Sequence, residues 1–211
     1  MCGRYSILTE DEIIQIREVI QEQEISMRMM VSDDFEDYTN TATEMRPTDK
    51  APVIVGHSDG VVSFQDLRWG FRKWDGKGVI INARAETLKT QRLFAPLLTA
   101  GRCVVPAREY YEWERQGRTK QKYFIKDAAG HLLFMAGLYR DTPEGREFVI
   151  ITKEACGSAA DIHGRMPVML RANQIEDWLK GTLSPDDIVQ LEFNVNVTPC
   201  DDEYVQLRLF D

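Results

Sequence analysis

A chain of 211 residues suits one domain, or at most two small ones, and 43% hydrophobic with 28% charged residues is the composition of an ordinary globular protein. No apolar run reaches the roughly 18 to 20 residues of a membrane span, the first residues lack the basic-then-apolar layout of a signal peptide, and position 2 is Cys rather than the Gly that myristoylation requires. No membrane partner is therefore expected and the chain is placed in the cytoplasm, while a formal charge of −8 repels nucleic acid unless a local basic patch overcomes it.

In chain order, Thr9 and Glu12 form a capping box, with Ile13, Ile16 and Ile20 at helical spacing, and they predict an amphipathic helix through about Gln23. Residues 25–40 mix Met27, Met29 and Met30 with the acidic run Asp33, Asp34, Glu36 and Asp37 and yield no assignment. Beyond them the pattern is mostly strands. APVIV, VVSFQDL, GVIINA, RCVVPA, YYEWE, KYFI, LLFMAGLY, EFVIIT and FNVNVTP are short, rich in β-branched and aromatic residues, and separated by Gly, Pro and Asp. Residues 127–130 and 143–145 read as hairpin turns with antiparallel pairing across each. Helices are expected near residues 88–98, over residues 173–180 with Gly181 as a stop, and after Ser184-Pro185. With no repeat, low-complexity tract or linker, the expectation is a single α+β domain over residues 1–211, its large, mainly antiparallel sheet curling into a barrel with flanking helices.

Cys2, Cys103, Cys156 and Cys200 are scattered, with no C-x-x-C pair and only three histidines beside them. That argues against a zinc cluster and a disulfide framework, so neither metal nor cofactor is expected. Reactive side chains interrupt the apolar rhythm in three places: Asn82, Arg84 and Glu86 in IINARAET, Glu112 in EYYEWE, and His163 and Arg165 in IHGRMPV. Each has a bland alternative. Asn82 could cap a turn, Glu112 could face solvent on an edge strand, His163 could be a hydrogen-bonded core or turn residue, the arginines could be surface charge, and Trp69, Trp74 and Trp113 could be core.

Cys2 differs if Met1 is removed. Its α-amine (pKa about 7.7 to 8.0) and its thiol (about 8.5) are then both partly available near neutral pH. The amine can condense with an aldehyde to an imine, and the thiol can close on the same carbon as a five-membered thiazolidine. Such a reaction needs an acid and a base, roles open to His and Glu, and a hydrogen-bonding anchor such as Asn.

MCGRY, RWGF followed by Trp74, INARAET, RCVVPA with YYEW after two residues, IHGRMPV and FNVNVTP, in this order, resemble the SOS response-associated peptidase (SRAP) family. The matching blocks run from residue 2 to about 170 and recur near the C-terminus. The resemblance implies a barrel-like α+β domain that shields abasic sites in single-stranded DNA through a thiazolidine crosslink to Cys2 after Met1 removal, and that blocks strand cleavage at the lesion. It implies Cys2 as nucleophile, Asn82 as the group positioning amine and sugar, and Glu112 and His163 as the proton-transfer pair for capture and release. Arg4, Arg84 and Arg165 resemble the family's phosphate contacts, Trp69 and Trp113 its apolar and stacking surface, Pro47 and Thr48 a block lining the DNA path, and Thr152 a strand-end Thr.

Departures from the family pattern are Glu44, Met45 and Arg46 before Pro47, Lys73 before Trp74, Arg108 and Glu109 before YYEW, and Gly164 before Arg165. Two other readings stand beside the main one: an N-terminal-cysteine hydrolase, whose free amine serves as base for its own thiol, and a non-catalytic single-stranded DNA binding module. The chain is expected to act as a monomer, associated with the nucleoid when bound to DNA; the sequence names no protein partner.

Overall fold

The structure, a computed structural model, describes residues 2–7, 28–31, 44–56, 61–117 and 119–200. In chain order its strands are β1 (Tyr5–Ser6), β2 (Arg28–Val31), β3 (Glu44–Met45), β4 (Lys50–Gly56), β5 (Val61–Trp69), β6 (Phe71–Arg72), β7 (Val79–Ile80), β8 (Asn82–Arg84), β9 (Arg102–Ala107), β10 (Glu109–Gln116), β11 (Thr119–Asp127), β12 (Leu133–Thr142), β13 (Gly145–Glu154), β14 (Arg165–Pro167), β15 (Met169–Leu170) and β16 (Val195–Pro199). The helices are α1 (Leu97–Ala100), α2 (Ile175–Lys180) and α3 (Pro185–Gln190), with 3-10 turns at Ala85–Thr87, Gly157–Asp161 and Ala172–Gln174.

Antiparallel pairing links β5 to β4, β4 to β9, β9 to β12 and β12 to β13. A parallel pairing of β13 with β5, at Glu147↔Arg68 and Phe148↔Trp69, closes these strands into a barrel. A second, antiparallel sheet runs β16-β11-β10-β1-β3. This is the α+β, mainly antiparallel barrel expected from the sequence.

Successive residues of the barrel strands belong to different apolar clusters. Val53, Val55, Cys103, Val105, Phe148 and Ile150 pack with Tyr5, Tyr110 and Ile125 of the second sheet. Ile54, Val104, Val149 and Ile151 pack with Leu88, Phe94, Trp178 and Ile188 of the helical segments. A strand buried on both faces needs apolar residues at every position, which is why RCVVPA and EFVIIT read as continuous hydrophobic runs.

The hairpin over residues 143–145 forms as expected, with Thr142 paired to Gly145. The stop at Gly181, which adopts φ 85°, and the start at Ser184, whose hydroxyl accepts from the Asp187 amide, also form. Residues 127–130 make a tight turn, closed by Gly130 N donating to Asp127 O at 3.1 Å, but not a hairpin. The edge of β11 that a returning strand would use is taken by β16, with Asp127 opposite Val195, and the chain crosses instead to the barrel. Residues 88–98 form successive turns rather than one helix. Isolated helical bonds occur ahead of Pro96 (Gln91 N to Thr87 O at 3.0 Å, Ala95 N to Gln91 O at 2.9 Å), but Pro96 has no N–H for the carbonyl of residue 92, and the regular helix α1 begins only behind it. The expected helix through Gln23 lies outside the described residues, among which no helix is long and apolar enough to cross a membrane.

β13 is longer than its barrel contacts require. Its first half lies between β12 and β5, while Ile150–Thr152 pair in parallel with β8 and Thr152–Glu154 pair with β14. β5 and β8 thus occupy successive stretches of the same edge, and the small β6–β7 sheet is an excursion between them. Gly70 N donates to Phe148 O (2.7 Å) where the chain leaves, and Ile150 N donates to Ile81 O (3.1 Å) where it returns. Trp69 Nε1 donates to Ile81 O at 3.1 Å across the base of the excursion, while Trp74, beyond β6, is 99% exposed.

Gly70 sits at the exit with φ 109°, and a Cβ there would lie 2.9 Å from Val79 Cβ. Backbone conformation and close approach both demand glycine. Gly70→Ala is therefore expected to cost about 2 to 3 kcal/mol of stability, read as a lowered denaturant midpoint. An unchanged midpoint would show that the close approach carries no weight.

Candidate functional site

β1 lies between β10 and β3, with Tyr5 opposite both Tyr110 and Met45. Tyr111 N donates to Arg4 O at 2.9 Å, which continues this alignment toward the chain start and lays residues 2–4 beside the YYEW segment. Cys2 is fully buried, and its thiol donates to Arg4 O at 3.7 Å. From β8, Asn82 Nδ2 donates to Cys2 O at 2.9 Å. The other end of the same amide, Oδ1, is buried and has no hydrogen-bond partner among the described residues.

Burial pushes the Cys2 thiol well above its ordinary range, and the nearby Glu112 carboxylate pushes it further. Sulfur is accordingly held as S–H. Glu112 is itself buried, and it shares one face of β10 with Tyr110, two residues earlier. Tyr110 is raised by burial and then by the charges of Cys2, Glu112 and Cys156, so its phenol stays neutral. That hydroxyl is buried without a hydrogen-bond partner among the described residues. The sequence reading missed Tyr110, because a Tyr in an aromatic strand looks like core.

His163 follows the 3-10 turn at Gly157–Asp161, whose Ala159 packs in the same apolar cluster as Cys2. His163 N donates to Ala159 O at 3.1 Å, and Arg165 N donates to His163 Nδ1 at 2.9 Å. Nδ1 also lies 3.2 Å from Arg165 O; the tautomer that accepts from the Arg165 amide carries its proton on Nε2. Asn82, Arg84, Thr152 and Arg165 come together because β8 and β14 flank the far half of β13, with Thr152 opposite Arg84 on one side and Pro167 on the other.

The three arginines differ in their surroundings. Arg84 is exposed, and no ion pair among the described residues holds its side chain. Arg165 grips Glu86 through both terminal nitrogens (2.7 and 2.9 Å) and donates from Nη2 to Thr152 O at 2.6 Å. That grip holds the Glu86 carboxyl below its usual range. Arg4 pairs with Glu44 and stands 5.5 Å from the centroid of the half-buried Trp113. Lys122, opposite Trp113 across β10 and β11, approaches the same ring at 5.6 Å and also pairs with Glu44.

Trp69 does not sit where stacking requires. It is wholly enclosed between Tyr5 (5.1 Å between centroids) and Phe148 (6.3 Å), so it supports the floor of the site rather than its surface. Its backbone does reach the surface indirectly, because Thr48 N donates to Trp69 O and Trp69 N to Asp49 O, both at 2.8 Å. Those bonds pin a turn in which Pro47 is half-buried and Thr48 takes φ 83°, a conformation that strains a β-branched residue.

The barrel and second sheet define a known fold. A solved protein from Bacteroides thetaiotaomicron matches 97% of this chain and 94% of its own length with a TM-score of 0.72 at 23% identity, and one from Bordetella bronchiseptica matches at 0.71 and 20%. The chain belongs to the SOS response associated peptidase (SRAP) family, whose pattern it matches over residues 1–205. Its relatives include the abasic site processing protein YoqW of Bacillus subtilis, 33% identical over 90% of this chain and 85% of that protein. YedK of Escherichia coli, likewise named an abasic site processing protein, is 32% identical over 63% of this chain and 62% of its own length.

The raised thiols carry a pH signature. Cys2 and Cys103 are both pushed up by burial, so between about pH 8.5 and their folded pKa values the unfolded chain releases thiol protons that the folded chain keeps. Stability from this source is complete below about pH 8.5 and is lost as pH rises beyond it. Denaturant titrations from pH 7 to 10 should show this decline, with a shallower slope in Cys2→Ala; an identical slope in that variant would refute the assignment to Cys2.

Proposed function

We propose that the protein captures abasic sites in single-stranded DNA as a covalent thiazolidine through Cys2, once Met1 has been removed. The observation that carries this reading is the Asn82 amide, whose Nδ2 fixes the Cys2 carbonyl while its buried Oδ1 has no partner among the described residues. A buried acceptor without a donor costs about 1 to 3 kcal/mol, and an N-terminal amine or a sugar hydroxyl would satisfy it.

The order of events follows from the thiol. Because burial and Glu112 hold sulfur as S–H, the amine attacks the ring-opened sugar aldehyde first. A C–N bond forms, carbonyl oxygen leaves as water, and a C=N imine results. Sulfur then adds to the imine carbon: the C–S bond forms, the π pair moves to nitrogen, and the thiol proton ends there. Glu112 accepts the proton that the attacking amine loses, and His163 donates to the departing hydroxyl. The neutral Tyr110 phenol, buried in the same apolar cluster as Cys2, is a further candidate donor. Arg84 and Arg165 contact phosphates on either side of β13, and Pro47 and Trp113 line the strand. Reversal of these steps releases the DNA. Removal of Met1 by the same Glu112 and His163 would be the amide chemistry that the family's peptidase name suggests.

Denaturing electrophoresis after incubation with single-stranded DNA bearing an abasic site tests the proposal, with intact mass used to confirm that Met1 is absent. Wild type is expected to give a stable adduct and Cys2→Ala none. Cys2→Ser keeps the amine and loses the sulfur, so its adduct should survive only after borohydride reduction of the imine. An undiminished adduct in Cys2→Ala would sink the mechanism. Amide turnover without any adduct would favour the hydrolase, and gel retardation alone would favour a binding module.

A further inference from the structure

Two of the three arginines expected at phosphates are occupied by carboxylates of the protein itself, and around Arg4 the arrangement is more specific than an ion pair. Glu44 splits its two oxygens between two cations, Oε1 to Arg4 Nη1 and Oε2 to Lys122 Nζ. Arg4 and Lys122 lie 5.5 and 5.6 Å from the Trp113 ring centroid, and Lys122 also stands 4.0 Å from that of Tyr111. The Glu44 side chain is 12% exposed, against 35% for Arg4 and 19% for Lys122, so solvent reaches the cations more readily than the acid between them.

We propose that Arg4 and Lys122 form a two-cation phosphate seat beside Trp113, and that Glu44 is its internal occupant in the DNA-free protein. This rests on the reading that single-stranded DNA is the ligand. A phosphodiester presents two non-bridging oxygens on one atom, as a carboxylate does on one carbon, so it can take the same two donors while an adjacent base stacks on Trp113. Displacement of Glu44 is feasible because β3 is a two-residue strand that, among the described residues, lies at the end of its sheet and pairs on one side only, to β1. Lys122 is thereby a DNA contact in its own right, and Glu44 sets how tightly the strand is held. While no DNA is bound, burial alone would raise the Glu44 carboxyl, but hydrogen bonds from Lys122 and Arg4 overcome it and keep the group below its usual range, so it remains an anion at neutral pH.

The test measures non-covalent affinity in a Cys2→Ala background, by fluorescence anisotropy with an intact single strand across a salt series. Glu44→Gln is nearly isosteric and removes the competing charge. It should bind roughly three- to tenfold more tightly than its parent, with a salt slope steeper by about 0.7. Lys122→Met should bind more weakly, with a slope shallower by about the same amount. Glu44→Gln that binds no tighter, or Lys122→Met that binds equally well, would overturn the seat; since the second variant keeps the aliphatic stem and removes one half-buried charge, it decides the matter even if the first folds poorly. If the Cys2→Ala parent shows no salt-dependent affinity for single strands and wild type forms no adduct, the DNA reading itself has failed. Adduct formation by wild type, with no gain in Glu44→Gln, removes only the seat.

Discussion

The site depends on one strand running past the end of its barrel. β13 must satisfy the hydrogen bonds of β12 and β5 to close the barrel, and its remaining backbone groups must find partners elsewhere. β8 and β14 supply them, and their arrival brings Asn82, Arg84 and Arg165 to one place. None of these side chains is held mainly by its own loop. Each is positioned by ladder bonds to a strand whose other half is locked in the core, which is the rigid support that aligned chemistry needs.

An acidic molecule with a formal charge of −8 can still present cations to a polyanion, but here it keeps several of them occupied meanwhile. Glu86 with Arg165, and Glu44 with Arg4 and Lys122, place negative charge directly against the groups that would meet phosphate. On the proposed function, such pairs would order long side chains before a strand arrives, lowering the entropy lost on binding in exchange for competition with phosphate. Arg84 lacks an acidic partner among the described residues, so its charge is not offset locally.

Several residues of the candidate site stand out in the sequence because they break the rhythm around them. Asn82 and Glu112 interrupt strands and His163 immediately precedes one, β14, places where a polar side chain stands out against its neighbours. Pairing across long separations was hidden. Glu44 and Lys122 are 78 residues apart, and each looks like ordinary surface charge alone. Exposure of the two tryptophans in RWGFRKW also could not be read, since Trp69 is enclosed and Trp74 is almost wholly exposed only five positions later. The turn after β11 has the chemistry of a hairpin, yet occupation of the strand edge by β16, from far along the chain, decides where it leads. Local residues set the turn; distant ones set the partner.

The excursion between Gly70 and Ile81 starts and ends on hydrogen bonds to the same strand, at Phe148 and Ile150. Those two positions face one edge of β13 only two residues apart, and although Phe71 and Arg72 still pack against the barrel, the exposed chain beyond them is a detour. Insertions, deletions and exchanges of the tip are therefore compatible with an unmoved Asn82. A family built on this plan can lengthen, shorten or re-equip the arm that carries Trp74, and so alter what the protein touches, without disturbing the groups beside Cys2.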